Sequence, residues 1–267
     1  MKATVGRRPG GIRVNLDLTL EDLKNCGTGA GGFQEGNTCA SGGGESFSST
    51  LTMKDVFKEE HGLALQIAVP RDKLTDSDVM EVGDAIHTDM IHMKENFKGV
   101  RNLISDAEPT PLGFMGKFSD DGVEGVYYTA QKAIDLDVSY NLLTNESPPL
   151  FGSWRVDDSI SGAFRHEYGH KFYYESKEID RSDWWMNVSR DYVRQESTRY
   201  RGETLPPVKG TRVSAYGTTS PEELFAESFS AYTSRHYQRG SLPSEIEGFL
   251  DKHVRDDVPG FYSGLVG

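Results

Sequence analysis

The run His166-Glu167-Tyr168-Gly169-His170 constrains this chain more than any other stretch. Histidines four residues apart lie one turn apart on one face of an α-helix, so both can offer imidazole nitrogens to one metal ion, with Glu167 beside them as a base. The flanks fit a helix over 157–175: Asp158 or Ser159 can cap its start, and Ile160, Phe164, Tyr168 and Phe172 form an apolar row roughly opposite Gly162, His166 and His170. One face is expected to pack and the other to bind. The competing reading is a core helix with two hydrogen-bonded histidines. Gly169 points to a close approach by another segment, because a glycine inside a helix costs about 1 kcal/mol relative to alanine.

A chain of 267 residues, 36% of them hydrophobic, is long enough to bury a real core in one large domain or two small ones. Its 29 basic and 41 acidic side chains leave a formal charge of -12, which opposes binding to nucleic acid and favours basic partners. No apolar run approaches membrane-spanning length, and residues 1–11 are basic without an apolar signal-peptide core. Neither membrane insertion nor Sec-type secretion is therefore expected; a cytoplasmic or virion-associated location, or delivery by another route, remains. Cys26 and Cys39 are too few for a disulfide framework, so a reducing compartment fits best. Oligomeric state is not set by any of these features.

Composition divides the chain at about residue 50. In residues 1–50, the alternation of Ile12, Val14, Leu16, Leu18 and Leu20 reads as a strand with no evident partner, and a glycine-rich, linker-like block follows from Cys26 to Glu45. Gly27, Gly29 and Gly32 spell a formal GxGxxG, but no helix follows, so a dinucleotide site is not expected. The block resembles segments of phage head and maturation proteins.

Residues 51–267 are expected to form the ordered, functional domain. Leu63 to Val69 reads as a buried strand ended by Pro70. Thr75 or Asp76 caps a helix whose Val79, Val82, Ile86, Met90, Met93 and Phe97 make one stripe. His87 and His92 on that helix are about 140° apart around the axis, so they cannot share an ion, and they read as surface or hydrogen-bonded histidines. Short strands are predicted over 100–104, 112–118 and 127–129, with a turn at Asp120-Asp121-Gly122. A further alternating strand through Ala133, Ile134, Asp135 and Leu136, just before the HEYGH helix, is placed to bind a peptide by adding a strand at the sheet edge; an ordinary sheet strand is the alternative. Beyond the motif, residues 183–201 read as a helix with an aromatic face, 202–212 as a loop, Ser220-Pro221 as the start of another helix, and 243–254 as the last helix.

A catalytic zinc takes three protein ligands plus water, and HEYGH supplies two. Glu223 and Glu227 share a face of the helix that starts at Pro221, so one can bind metal while the other orients a ligand histidine. Glu223 also stands three residues after Ser220, where a capping box would use it, and spacing leaves the two glutamates equal.

The run Ser214-Ala215-Tyr216-Gly217, then Glu223-Leu224-Phe225-Ala226-Glu227-Ser228-Phe229, together with HEYGH, resembles the catalytic domain of anthrax toxin lethal factor; the related Pro-Pro endopeptidases share the HExGH helix. In that family the third ligand is a glutamate seven residues after the tyrosine of a Tyr-Gly turn. The resemblance therefore implies His166, His170 and Glu223 as ligands of Zn2+, Glu167 as general base, Tyr216 as transition-state hydrogen-bond donor and Glu227 as the glutamate behind a ligand histidine. It implies an α+β, zincin-like metallopeptidase domain, with a small mixed sheet, the HExxH helix and a C-terminal helical subdomain. In layout it spans residues 51–254; it is specific in the two motif blocks, and none is evident upstream of Tyr127.

The expected function is zinc-dependent hydrolysis of peptide bonds in a protein or peptide substrate. The alternative is a phage structural or maturation protein whose peptidase is secondary or processes the chain itself. A metal-binding module without catalysis is disfavoured, because such a module needs neither a base nor an oxyanion donor.

Overall fold

In a computed structural model the protein is described over residues 3–8, 11–16, 47–69, 74–106, 108–116, 124–138, 148–177, 179–190, 192 and 212–255. The glycine-rich block with both cysteines, the Asp120-Asp121-Gly122 turn and residues 202–211 of the expected loop lie outside the described residues.

Strands β1 (Ala3–Arg8) and β2 (Gly11–Leu16) pair antiparallel, from Ala3 opposite Leu16 to Arg8 opposite Gly11. The expected strand near Ile12 thus finds its partner immediately upstream. Helix α1 (Thr50–His61) is capped by Ser49, whose hydroxyl accepts from the Thr52 N–H at 3.2 Å, and stops at Gly62, whose φ of 63° only glycine adopts without strain. The chain turns there into β3 (Leu63–Ala68).

Helix α2 (Asp76–Asn96) follows the predicted stripe, with Val79, Val82, Ile86, Met90 and Met93 all in the core. Its first turn is closed by a reciprocal pair: Thr75 Oγ1 accepts from the Asp78 N–H at 3.2 Å, and Asp78 Oδ2 accepts from the Thr75 N–H at 2.7 Å. The strand expected over 100–104 is instead helix α3 (Lys98–Asp106). Val100 and Leu103 are three apart, the spacing of a helical face, and both are buried while Arg101 and Asn102 are partly exposed. The β preference of that short run loses to this packing.

Strands β4 (Thr110–Met115), β5 (Gly125–Tyr128) and β6 (Ala133–Asp137) join β3 in a four-stranded mixed sheet, in the order β3-β4-β6-β5 among the described residues. β3, β4 and β6 run parallel, and β5 pairs antiparallel with β6, from Gly125 opposite Leu136 to Tyr128 opposite Ala133. This order corrects the expectation for Ala133, Ile134, Asp135 and Leu136. Their strand is bonded on both sides, to β4 and to β5, so it has no edge to offer a peptide; among the described residues the edge on that side of the sheet is Gly125–Tyr128.

Helix α4 (Ile160–Glu175) carries HEYGH, and α5 (Arg181–Asp183) opens a turn that continues as a π-helical stretch, Trp184–Ser189. Of the aromatic face expected there, Trp184 is fully buried against Phe225 and Phe249, with ring centroids 5.5 and 4.9 Å away, and Val188 and Tyr192 pack partly buried against the core, whereas Trp185 and Met186 are exposed. Helices α6 (Pro221–Thr233) and α7 (Ser244–Leu250, continuing through Asp251–Arg255) complete a mixed α/β architecture compatible with the α+β class.

The α4–α6 contact positions everything that follows. Phe172 stacks on Phe225 with 14° between the rings, and Tyr168 on Phe229 with 26°. Between these pairs Gly169 lets the backbones meet: a methyl group there would lie 3.0 Å from Ala226 Cα. One buried cation also ties four segments together. Arg165, 0% exposed, donates to Asp89 of α2 at 2.9 Å, to Asp157 before α4 at 2.5 Å and to the Ser230 carbonyl of α6 at 3.1 Å.

Candidate metal centre

Helix α4 starts at Ser159, whose hydroxyl accepts from the Gly162 N–H at 3.0 Å and whose own N–H donates to Asp157 Oδ1 at 2.9 Å. Of the two caps that the sequence offers, the structure uses Ser159. Ile160, Phe164, Tyr168 and Phe172 face the core as predicted, which turns His166 and His170 toward α6.

Both glutamates of α6 reach the histidines, at different atoms. Glu223 Oε2 lies 3.0 Å from His166 Nε2 and 3.3 Å from His170 Nε2. Glu227 Oε1 lies 2.7 Å from His166 Nδ1, and its other oxygen accepts from the Val156 N–H at 2.9 Å. Geometry thereby separates residues that spacing leaves equal: Glu223 meets the two Nε2 atoms where an ion would join them, while Glu227, 1% exposed, stands behind His166. Ser220 caps α6 by accepting from the Glu223 N–H at 3.2 Å, so the backbone of Glu223 is held while its carboxylate serves the histidines.

The donors fit a zinc ion. His166, His170 and Glu223 each offer one ligand atom, all within 4.8 Å of one another, and two imidazole nitrogens with one carboxylate oxygen is a catalytic zinc donor set. These groups also compensate one another's charge. Burial disfavours charge on His166, but the hydrogen bonds its ring donates to Glu223 and Glu227 outweigh it and push its pKa up to about 10. Burial likewise raises Glu223, but hydrogen bonds from both histidines outweigh it and hold its carboxyl well below the usual range. A cation on the same three residues would take over that role.

Glu167, 7% exposed, lies beside this cluster and under β5. The Tyr127 N–H hydrogen-bonds its carboxylate, and a methyl group on Gly125 would come within 3.0 Å of Glu167 Oε1. Glycine at that point of the open edge strand lets the backbone pass directly over the carboxylate. Burial raises the Glu167 pKa, opposed by the charges of His166 and His170. Strand and helix are further joined where the Tyr127 hydroxyl donates to Glu175 Oε1 at 2.7 Å.

Tyr216 opens a 3-10 turn, Tyr216–Thr218, with its ring centroid 5.7 Å from that of His166. Burial and the charge of Glu223 push its pKa up to about 12, so the hydroxyl stays protonated. Its backbone is anchored to the loop before α4: the Tyr216 N–H donates to the Trp154 carbonyl at 2.9 Å and the Ala215 N–H to the Ser153 carbonyl at 2.8 Å. Arg155 lies over the Tyr216 ring, 5.6 Å from its centroid, and pairs with Glu124 at 2.5 Å. Together Gly125, Trp154, Arg155, Glu167 and Tyr216 line a cavity of about 270 Å³ beside the histidines.

The structure thus brings together His166, Glu167, His170, Tyr216, Glu223 and Glu227. It leaves Ala133 to Leu136 one strand away from the open edge. Sequence reasoning overlooked Gly125, Trp154, Arg155 and Glu124. The loop that holds Trp154 and Arg155 carries no periodic signal and is shaped by pairing with residues more than fifty positions downstream. The one available signal was Gly125 opening a β-prone run, which marks close backbone approach. No family model, curated protein or solved structure matches this chain.

Proposed function

We propose that the chain is a zinc endopeptidase of zincin-like fold, hydrolysing peptide bonds of a protein substrate laid along the open edge of β5. The observation that carries this reading is the convergence of His166, His170 and Glu223 at one point, with Glu167 between that point and the edge strand. A metal-binding module needs the first three residues; it has no use for a buried carboxylate beneath a strand edge.

His166, His170 and Glu223 would hold Zn2+, which when bound acts as a Lewis acid and lowers the pKa of a coordinated water toward about 7. Glu167 takes a proton on its carboxylate as a peptide carbonyl is attacked and returns it to the leaving amine. Glu227 accepts from His166 Nδ1–H, which fixes the tautomer so that Nε2 keeps its lone pair for the ion. Tyr216 donates its hydroxyl to the oxyanion, a contribution of about 3 kcal/mol by analogy with other oxyanion donors. With the Tyr127 N–H held by Glu167, the remaining outward backbone groups of β5 supply hydrogen bonds to an extended peptide, and side chains on either side enter the cavity formed by Trp154, Arg155 and Tyr216. No helix among the described residues is long and apolar enough to cross a membrane. A phage structural or maturation role draws on the glycine-rich block, which lies outside the described residues, so no observed contact favours it.

Glu167→Gln tests the reading. Zinc bound at His166, His170 and Glu223 should remain while hydrolysis of a diverse peptide library disappears; cleavage at the wild-type rate would remove Glu167 from its role.

A further inference from the structure

A second cluster of metal-ligating side chains lies apart from HEYGH, at the junction of α1 and α2. His61 ends α1, 1% exposed, and His87 sits in the middle of α2, 9% exposed. Their rings face each other, with His61 Nε2 2.7 Å from His87 Nδ1. Phe57 meets His61 edge-on at 5.7 Å, and Phe47 meets His87 edge-on at 5.0 Å, so the pair is walled by aromatic carbon. Glu60, exposed beside His61, offers a third ligand atom, and the three donor atoms lie within 4.8 Å of one another.

A hydrogen-bonded histidine pair explains this poorly. Two imidazoles have been taken out of water for one neutral hydrogen bond, and His61 Nδ1 is buried with no hydrogen-bond partner. The charges around the pair carry a negative excess. The charges facing the pair are Glu60 and Asp84, which are negative, and Lys94, which is positive and whose ammonium donates to the Glu60 backbone carbonyl at 2.5 Å. Carboxylates outnumber the ammonium by two to one.

We propose that Glu60, His61 and His87 form a second divalent-metal site, suited to zinc, which pins α1 against α2 independently of the HEYGH centre. Two imidazole nitrogens and a carboxylate, with water as the fourth ligand, are zinc's preferred ligand types. At metal–nitrogen bonds of 2.0–2.1 Å in tetrahedral geometry the ring nitrogens stand about 3.3 Å apart, so the observed pair needs to open by roughly 0.6 Å. Glu60 is at the surface, where its rotamer is free to close the site.

The full chain is saturated with zinc, freed of excess metal by gel filtration and analysed by elemental analysis. Wild type is expected to hold two zinc ions, His87→Gln one, and His166→Gln/His170→Gln one. Because His87→Gln removes a buried side chain and could impair folding, Glu60→Gln is the companion variant; at its surface position it should leave the fold intact and weaken the second site tenfold or more. In the His166→Gln/His170→Gln background, cobalt should give the visible bands of a tetrahedral site, weakened by Glu60→Gln. The proposal is overturned if wild type holds one zinc that disappears in His166→Gln/His170→Gln, or if two ions persist in both His87→Gln and Glu60→Gln at unchanged affinity. Should only the HEYGH reading fail, wild type would hold a single zinc that survives His166→Gln/His170→Gln and is lost in His87→Gln.

Discussion

Gly169→Ala sets two effects of similar size against each other at the contact that assembles the metal centre. Replacing a glycine inside a helix by alanine gains about 1 kcal/mol in propensity. The added methyl would lie 3.0 Å from Ala226 Cα, 3.2 Å from Phe229 Cβ and 3.3 Å from the Ala226 carbonyl oxygen. Two of those atoms are backbone and the third is fixed to it, so a rotamer change cannot relieve the contact, and α4 and α6 must separate by a few tenths of an ångström. Overpacking of this kind costs about 1–3 kcal/mol, which leaves a net loss of roughly 0–2 kcal/mol. The larger consequence falls on the site. Glu223 and Glu227 flank Ala226 on the helix that moves, and the gaps they set to the histidines are 3.0, 3.3 and 2.7 Å. Losing a group that orients a ligand costs about 10–100-fold in metal affinity, so a shift of a few tenths of an ångström should weaken zinc binding by up to about tenfold. Thermal melting gives the stability term, and competition with a chromogenic chelator gives the zinc affinity. A variant that melts several degrees higher with unchanged zinc affinity would show that propensity wins and that the helix contact does not set the site.

Other expectations follow from neighbouring contacts. Glu223→Ala should reduce zinc content by one ion per chain, whereas Glu227→Ala should keep the ion at saturation but bind it 10–100-fold more weakly; the reverse pattern in elemental analysis would exchange their roles. Tyr216→Phe should lower kcat by about a hundredfold with little change in KM, as expected for an interaction made in the transition state. Arg165→Met strands Asp89 and Asp157 in the core and should cost about 3–5 kcal/mol in urea unfolding, through loss of the shared guanidinium. A cost below 1 kcal/mol would mean that water reaches those carboxylates.

What the sequence makes legible here is local. The spacing of His166 and His170, the cap at Ser159, the stripe of α2 and the proline start of α6 are each decided within two helical turns, and the structure carries them all. The choice between Glu223 and Glu227 depends on how α6 crosses α4, a property of Gly169 and Ala226 that no spacing rule contains. Val100 to Ile104 looks like a strand until Val100 and Leu103 find the core together. The sheet edge fails for a related reason: alternation marks Ala133 to Leu136 as strand but is silent on neighbours, and β5 turns back to cover them. His87 is set aside when only its own helix is considered, because its partner, His61, ends a different one.

The central claim is that a zinc ion at His166, His170 and Glu223 makes this chain a peptidase. It is tested most directly by following cleavage of a quenched peptide library through removal and restoration of zinc. The account predicts cleavage by the zinc-loaded protein, its loss on chelation and its return when zinc is added back. Cleavage that survives complete removal of zinc, or a fully zinc-loaded chain that cleaves no peptide, would contradict it.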